Sequence, residues 1–265
     1  MGSNGGMKPS ILFVFLSSLL MFHASAQERQ WFRVSLYHLN SEDAEALFDK
    51  TFAEAVLPAL ERQGIAPVGV FAPVHLEKDK EKPLSRQRCV ITPLSSPDQL
   101  VSISEKMGQD AEFMEKAAAY LGVGKDAAVF SRVESSLLYA FEGMPRLVVP
   151  KKETDSARLF ELRVYESHSE MKGKLKVQMF NEGEMGIFKE AGVQSVFFGE
   201  AVIGKNLPNL TYMTVYNDEA HRGEVWKKFS AHPKWKEMSK MELYKDTVSK
   251  IIAQHMKPLP YSVIQ

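Results

Sequence analysis

Arg163 stands between Glu161 and Tyr165 in the alternating run Phe160-Glu161-Leu162-Arg163-Val164-Tyr165. A planar guanidinium on an unsheltered strand face can clamp the anionic group of a small ligand, or it can serve as a structural ion pair. Both readings stay open. Tyr37, Tyr165, Tyr212 and Tyr216 fall on the polar side of their strands, where their hydroxyls can line a cavity or their rings can pack half-buried at a sheet interface. His255, in the last apolar stretch, is the best-placed candidate for a general base or an iron ligand, with His38 and His75 less well placed; a packing histidine is the alternative. Cys89 is the lone cysteine and lies in the apolar stretch Cys89-Val90-Ile91, which reads as a buried structural thiol rather than a nucleophile.

Composition narrows the field. Hydrophobic residues make up 45% of the chain and charged residues 25%, and 33 basic side chains balance 33 acidic ones. No net field draws such a chain to nucleic acid or anionic lipid. One cysteine excludes an intramolecular disulfide and a thiolate metal site. The sequence has no Walker loop, no G-x-G-x-x-G after a strand, no H-E-x-x-H, no C-x-x-C and no G-x-S-x-G elbow, so nucleotide-dependent, zinc-protease, dithiol and serine-hydrolase readings lose their usual support. No cofactor is predicted from the residues, and haem is not excluded.

At the N-terminus, Lys8 precedes the apolar run from Ile11 to Phe22 and the small-residue triplet Ala24-Ser25-Ala26. This reads as a secretory signal peptide over residues 1–26, cleaved before Gln27, because the run is shorter than the roughly 20 residues a membrane-spanning helix needs. The expectation is an exported protein, periplasmic or secreted, with no stable membrane anchor after cleavage.

The elements that must position these residues are read from hydrophobic period and internal similarity. Trp31 to Tyr37 matches Leu159 to Tyr165 in alternation, Gly64 to Val68 matches Gly192 to Val196, and Lys106 to Phe113 matches Lys228 to Trp235 in the same order. The first half predicts strands over Phe32–Leu39, Ala66–Val74, Arg88–Pro93 and Ser131–Phe141, with helices over Glu42–Gln63 and Pro97–Leu121. The second predicts strands over Leu159–Glu166, Ser195–Val202, Tyr212–Tyr216 and Val248–Lys257, with helices over Met171–Ala191 and Asp218–Met238. Ser41 and Asp98 sit where helix caps are wanted, and Gly64 and Gly192 where helices end left-handed. Trp226, Phe229 and Trp235 have the spacing of a buried helix stripe.

Each half thus reads β-α-β-β-α-β. The predicted fold is α+β: two tandem ferredoxin-like domains, residues 27–150 and 151–265, packed sheet to sheet as a pseudo-dimeric barrel. In that arrangement Phe160, Leu162 and Val164 lie under the helices, and Glu161, Arg163 and Tyr165 face the space between the sheets.

Phe160 to Tyr165, the run Trp226-x-x-Phe229-x-x-His232-Pro233-x-Trp235 and the tail Lys257-Pro258-Leu259-Pro260-Tyr261-Ser262 resemble a NIPSNAP domain. The resemblance covers the second half well and the first only at its opening strand and at Asp110-Ala111-Glu112-Phe113. It implies the dimeric α+β barrel superfamily, which includes small monooxygenases, haem-degrading enzymes, dismutases and proteins with no assigned activity. Three functions follow: an oxygenase- or isomerase-like enzyme acting between the sheets, a small-ligand binding module, or an interaction scaffold with a filled barrel. A homodimer is left open.

Overall fold

The computed structural model describes residues 1–2, 28–151 and 158–265. The apolar run and cleavage site read at the N-terminus lie outside the described residues, as does the end of the segment joining the two halves. Eight strands, β1 (Trp31–Leu39), β2 (Gly69–Pro73), β3 (Gln87–Leu94), β4 (Phe130–Ala140), β5 (Leu159–Glu166), β6 (Gln194–Ile203), β7 (Asn209–Tyr216) and β8 (Lys250–Pro258), form a closed antiparallel barrel in the order β1-β3-β2-β8-β5-β7-β6-β4.

This corrects the expectation of a tandem repeat of ferredoxin-like domains packed sheet to sheet. Two separate sheets would each keep bare edges, and unpaired edge N–H and C=O groups invite wrong pairing. Here those edges are joined. β2 pairs with β8 through Phe71–Pro258, Ala72–Lys257 and Pro73–Met256, and β4 pairs with β6 from Leu137–Ile203 to Ala140–Gly199. One continuous ladder results, and its two faces are an enclosed interior and an outer surface.

Helices cover that outer surface. α1 (Glu42–Thr51) runs through a π-helical turn, Phe52–Val56, into α2 (Leu57–Arg62). α3 (Gln99–Gln109), α4 (Ala111–Lys116) and α5 (Ala118–Leu121) follow β3. In the second half, α6 (Glu170–Met179) passes through a π-helical turn, Phe180–Glu184, into α7 (Met185–Ala191), and α8 (Glu219–Ala231) and α9 (Pro233–Met238) follow β7. Ser41 caps α1 by accepting from the Ala44 amide at 3.1 Å. Asp98 makes no such bond, and the acidic cap in this region is Asp110, which accepts from the Phe113 amide at the start of α4. Gly64 and Gly192 carry the positive φ, 73° and 91°, expected where these helices end.

Alternation along the strands sorts side chains between two apolar regions. Phe32, Phe71, Cys89, Ile91, Leu138, Phe160, Leu162, Phe197, Met213, Val215 and Met256 converge inside the barrel. Ring pairs Phe32–Phe197 and Phe71–Phe160, each 5.0 Å between centroids, pack side chains of different strands there. The opposite face meets the helices: Tyr37 packs on Phe48 and Phe52, and Tyr165 and Tyr212 on Phe180.

The C-terminal tail stoppers the filled end. Leu259 and Val263 donate backbone hydrogen bonds to the carbonyls of Val70 and Val68, and the Ser262 hydroxyl accepts from the Val70 amide at 2.9 Å. That lateral attachment carries Ile264 into the interior cluster, fully buried. Replacing it with alanine removes packing that the fixed tail cannot collapse to restore. Ile264→Ala is expected to cost about 2–5 kcal/mol in denaturant unfolding. Cys89 shares this interior, and burial pushes its thiol pKa up to about 12. Thiol-reactive reagents should therefore modify Cys89 only at the rate of unfolding; rapid labelling of the native protein would show the interior to be open there.

Candidate functional site

The sequence-selected residues assemble, but on the outer face. Glu161 is fully buried between β5 and α8. Arg222 of α8 grips its carboxylate with Nε at 2.9 Å and Nη2 at 2.7 Å, Arg163 donates through Nη1 at 2.8 Å, and the Trp226 indole donates at 3.2 Å. His255, paired with Glu161 across β5 and β8, holds Nε2 3.5 Å from the carboxylate without completing a hydrogen bond. The Arg163 guanidinium also stacks 4.6 Å from the Trp226 ring and 5.4 Å from that of Tyr165. Tyr212 donates to the Tyr165 hydroxyl at 2.9 Å, while Thr214 donates to the Tyr216 hydroxyl at 3.1 Å.

Arg163, Tyr165, Tyr212, Tyr216 and Tyr37 therefore lie beneath helices, and His255 shares their outward face on β8. The faces expected from the sequence are exchanged: Phe160, Leu162 and Val164 point inward. A closed barrel explains the exchange. Its wall spends its backbone donors and acceptors on the ladder, so a buried charge inside would find partners only among other side chains. The helix layer supplies them, as Arg222 and Trp226 do for Glu161. A one-residue change of phase moves a whole strand set across the sheet, so the exchange is complete.

Electrostatics agree with a structural role for this cluster. Burial alone raises the Glu161 pKa, but the nearby His255 ring and the Arg222 and Arg163 guanidinia outweigh it and hold the carboxyl well below its usual range. Burial raises the pKa values of the Tyr165, Tyr212 and Tyr216 phenols, leaving them neutral at ordinary pH. A second buried pair, Lys176 and Glu184 at 2.6 Å, lies beside Tyr165. In the first half Arg88 binds Asp49 through two nitrogens at 2.9 and 2.8 Å and reaches Glu45 at 3.2 Å, and Tyr261 of the tail donates to the same Asp49. Among the described residues no group of three or more His, Cys, Asp or Glu side chains is arranged to hold a metal ion.

The interior opens at the other end of the same strands. A pocket of about 180 Å³ is walled by Val34 and Leu36 of β1, Leu162 and Val164 of β5 and Ile252 of β8, with Glu134, Ser136, Asn209, Thr211 and Gln254 completing the lining and Lys205 and Asn206 reaching over it from the β6–β7 turn. Sequence reading missed these residues because aromatic and charged side chains drew attention to the opposite face. The available signal was the inward set itself, Val34 and Leu36 against Leu162 and Val164, which shortens from phenylalanines at one end of the strands to smaller side chains toward the other.

Fold and pocket define a closed α+β barrel whose interior is filled at one end and hollow at the other. Residues 160–263 match the NIPSNAP family model, so the segment from β5 through the tail is related to that family. No curated protein gives a significant match. Among solved structures, a protein from Fusobacterium nucleatum described as a candidate monooxygenase is similar with a TM-score of 0.57 and 10% identity, over 88% of this chain and 94% of its own. Another so described, from Lactobacillus acidophilus, gives 0.52 and 11%, over 87% and 94%. At such identities the likeness is one of fold, and fold does not carry chemistry with it.

The Glu161 cluster makes a direct test of its role. Glu161→Gln leaves two half-buried guanidinia without their counter-charge and is expected to cost about 2–4 kcal/mol at neutral pH, somewhat less than for a fully buried pair. Because the folded-state pKa lies below the unfolded value of about 4.3, the stabilisation is fully present above that value and drains away as pH falls toward the folded pKa. The gap between wild type and Glu161→Gln, followed by denaturant unfolding, should therefore narrow below about pH 4.

Proposed function

We propose that the protein binds a small molecule in the hollow end of its barrel and performs no proton-transfer step on it. The observation that carries this reading is the pocket's construction: aliphatic walls, a polar rim and closure by the filled interior behind it. Ligand sites combine a mainly apolar lining with a few placed polar groups in this way. At about 180 Å³ the space is smaller than the roughly 300–1,000 Å³ of sites for drug-sized ligands, so the occupant is a correspondingly small molecule.

The placement of three side chains favours binding over catalysis. A general acid or base must reach the bound molecule and exchange a proton near the working pH. Glu134 is the acidic side chain in the lining, and the hydrogen bond from Lys205 holds its pKa below the usual value, leaving it ionised and engaged. His38 approaches Glu134 to 3.7 Å, and its buried Nε2 is not among the groups that line the pocket. His255 faces Glu161 on the other side of the sheet.

Among the described residues no helix is long and apolar enough to cross a membrane. We further propose export directed by residues 1–26; N-terminal sequencing of the protein from its native source should begin at Gln27, and an intact Met1 would refute this.

For the binding site, mass spectrometry under non-denaturing conditions should find a small molecule held one to one by the native protein. Val164→Trp fills the pocket from its wall and should reduce that occupancy at least tenfold, at an overpacking cost of about 1–3 kcal/mol. Equal occupancy in a folded Val164→Trp protein would place the ligand elsewhere.

A further inference from the structure

The lining of the hollow end is chemically selective, and the selection follows from which of its polar groups are already satisfied. Glu134 and Lys205 are its charged members. Lys205 Nζ lies 3.0 Å from each Glu134 oxygen, Arg132 Nε adds a contact at 3.1 Å, and His38 stands at 3.7 Å. The carboxylate is thus already engaged by the Lys205 and Arg132 cations. An incoming carboxylate would have to compete with Glu134 for Lys205, and an incoming ammonium would have to displace Lys205 from Glu134; either exchange loses a charge-assisted bond to make one.

The turn that carries Lys205 is held against β4. Gly204 has φ 148°, and a Cβ there would stand 2.3 Å from the Ser136 hydroxyl oxygen. Asn209 stitches the turn internally, donating from Nδ2 to the Lys205 and Asn206 carbonyls at 3.0 Å, while its Oδ1 accepts from Thr211 at 3.1 Å. Those amide and hydroxyl groups are committed to the protein.

Gln254 is different. It sits opposite Leu162 in the β5–β8 register, beside Ile252 and on the aliphatic wall, and its side-chain amide has no hydrogen-bond partner among the described residues. Half-buried at the pocket and uncommitted to other protein groups, this amide is available to a molecule that enters. The amide offers both a donor and an acceptor, and it carries no charge. Ser136 is likewise without a partner, across the pocket on β4.

We propose that the pocket takes an uncharged molecule with a short aliphatic body and a single hydrogen-bonding head, of the alcohol, ketone or amide class, and that Gln254 determines this specificity by bonding the head. The body lies along Val34, Leu36, Leu162, Val164 and Ile252. This assignment rests on the binding reading given above, and the experiment is arranged to separate the two.

The full-length protein is titrated with 1-hexanol, hexanoate and hexylammonium at neutral pH, three probes of equal chain length, while the methyl resonances of Leu162, Val164 and Ile252 are followed by NMR. Hexanol is expected to shift those methyls and to bind at least tenfold more tightly than either charged probe. Gln254→Leu, with an unchanged melting temperature, should erase at least fivefold of hexanol's advantage while leaving the weaker binding of the charged probes unaltered. Tighter binding of hexanoate or hexylammonium at the same methyls would overturn the neutral-ligand assignment and leave the pocket reading standing. A folded Gln254→Leu protein with undiminished preference for hexanol would overturn the role of Gln254. No methyl shift with any of the three would overturn both the assignment and the pocket reading.

Discussion

Closure of the sheet is the constraint from which the other features descend. The two joins differ in strength. Between β4 and β6 the ladder runs from Leu137 to Ala140, whereas β2 and β8 share three residue pairs. The tail lengthens the weaker join: Leu259, Ser262 and Val263 continue the chain beyond β8 and bond to Val68 and Val70. A closed ladder leaves no edge to pair with another chain and no backbone group to satisfy a polar side chain inside. The filled part of the interior is therefore assembled mainly from Phe, Leu, Ile, Val and Met, and Ile264 completes it from the end where the tail returns.

On the outer face, buried and half-buried charges tie helices to the sheet. Arg222 and Trp226 bring α8 onto Glu161 of β5, and Asp49 and Glu45 bring α1 onto Arg88 of β3. Desolvation offsets much of the Coulombic gain in such clusters, so their main effect is to penalise misplaced arrangements. An α8 turned away from β5 would strand a fully buried carboxylate. The tyrosines serve the same layer: the Tyr212–Tyr165 bond and their contacts with Phe180 seat the π-helical turn that also places Glu184 beside Lys176.

A functional asymmetry follows from side-chain size along the same strands. Toward the tail, inward positions hold Phe32, Phe71, Phe160 and Phe197, whose rings pack on one another. Toward the β6–β7 turn, β1 and β5 continue with Val34, Leu36, Leu162 and Val164, and the space the rings would fill is left open. Rigid walls make that space durable. Each of those side chains stands on a strand paired on both sides, so the pocket cannot readily collapse in the way a loop-lined cleft can.

Local pattern was enough to place most of the elements. The Leu159–Glu166 strand agrees at both ends, and Ser41 and Gly192 mark the helix boundaries they were expected to mark. These features depend on neighbours in sequence: period two along a strand, a hydroxyl three residues before an amide, a glycine free to adopt positive φ. Alternation likewise separated Leu162 and Val164 from Arg163 and Tyr165, because that partition is built into the pleat. What the pleat does not encode is which set faces inward. That depends on whether the sheet edges meet, and on Arg222 and Trp226 arriving from α8, some sixty residues along the chain, to satisfy Glu161. The pocket was hidden for the same reason: Gln254, Glu134 and Lys205 become one site only when β8, β4 and the β6–β7 turn are brought around a common axis, and the backbone pairing that closes the barrel is a tertiary event.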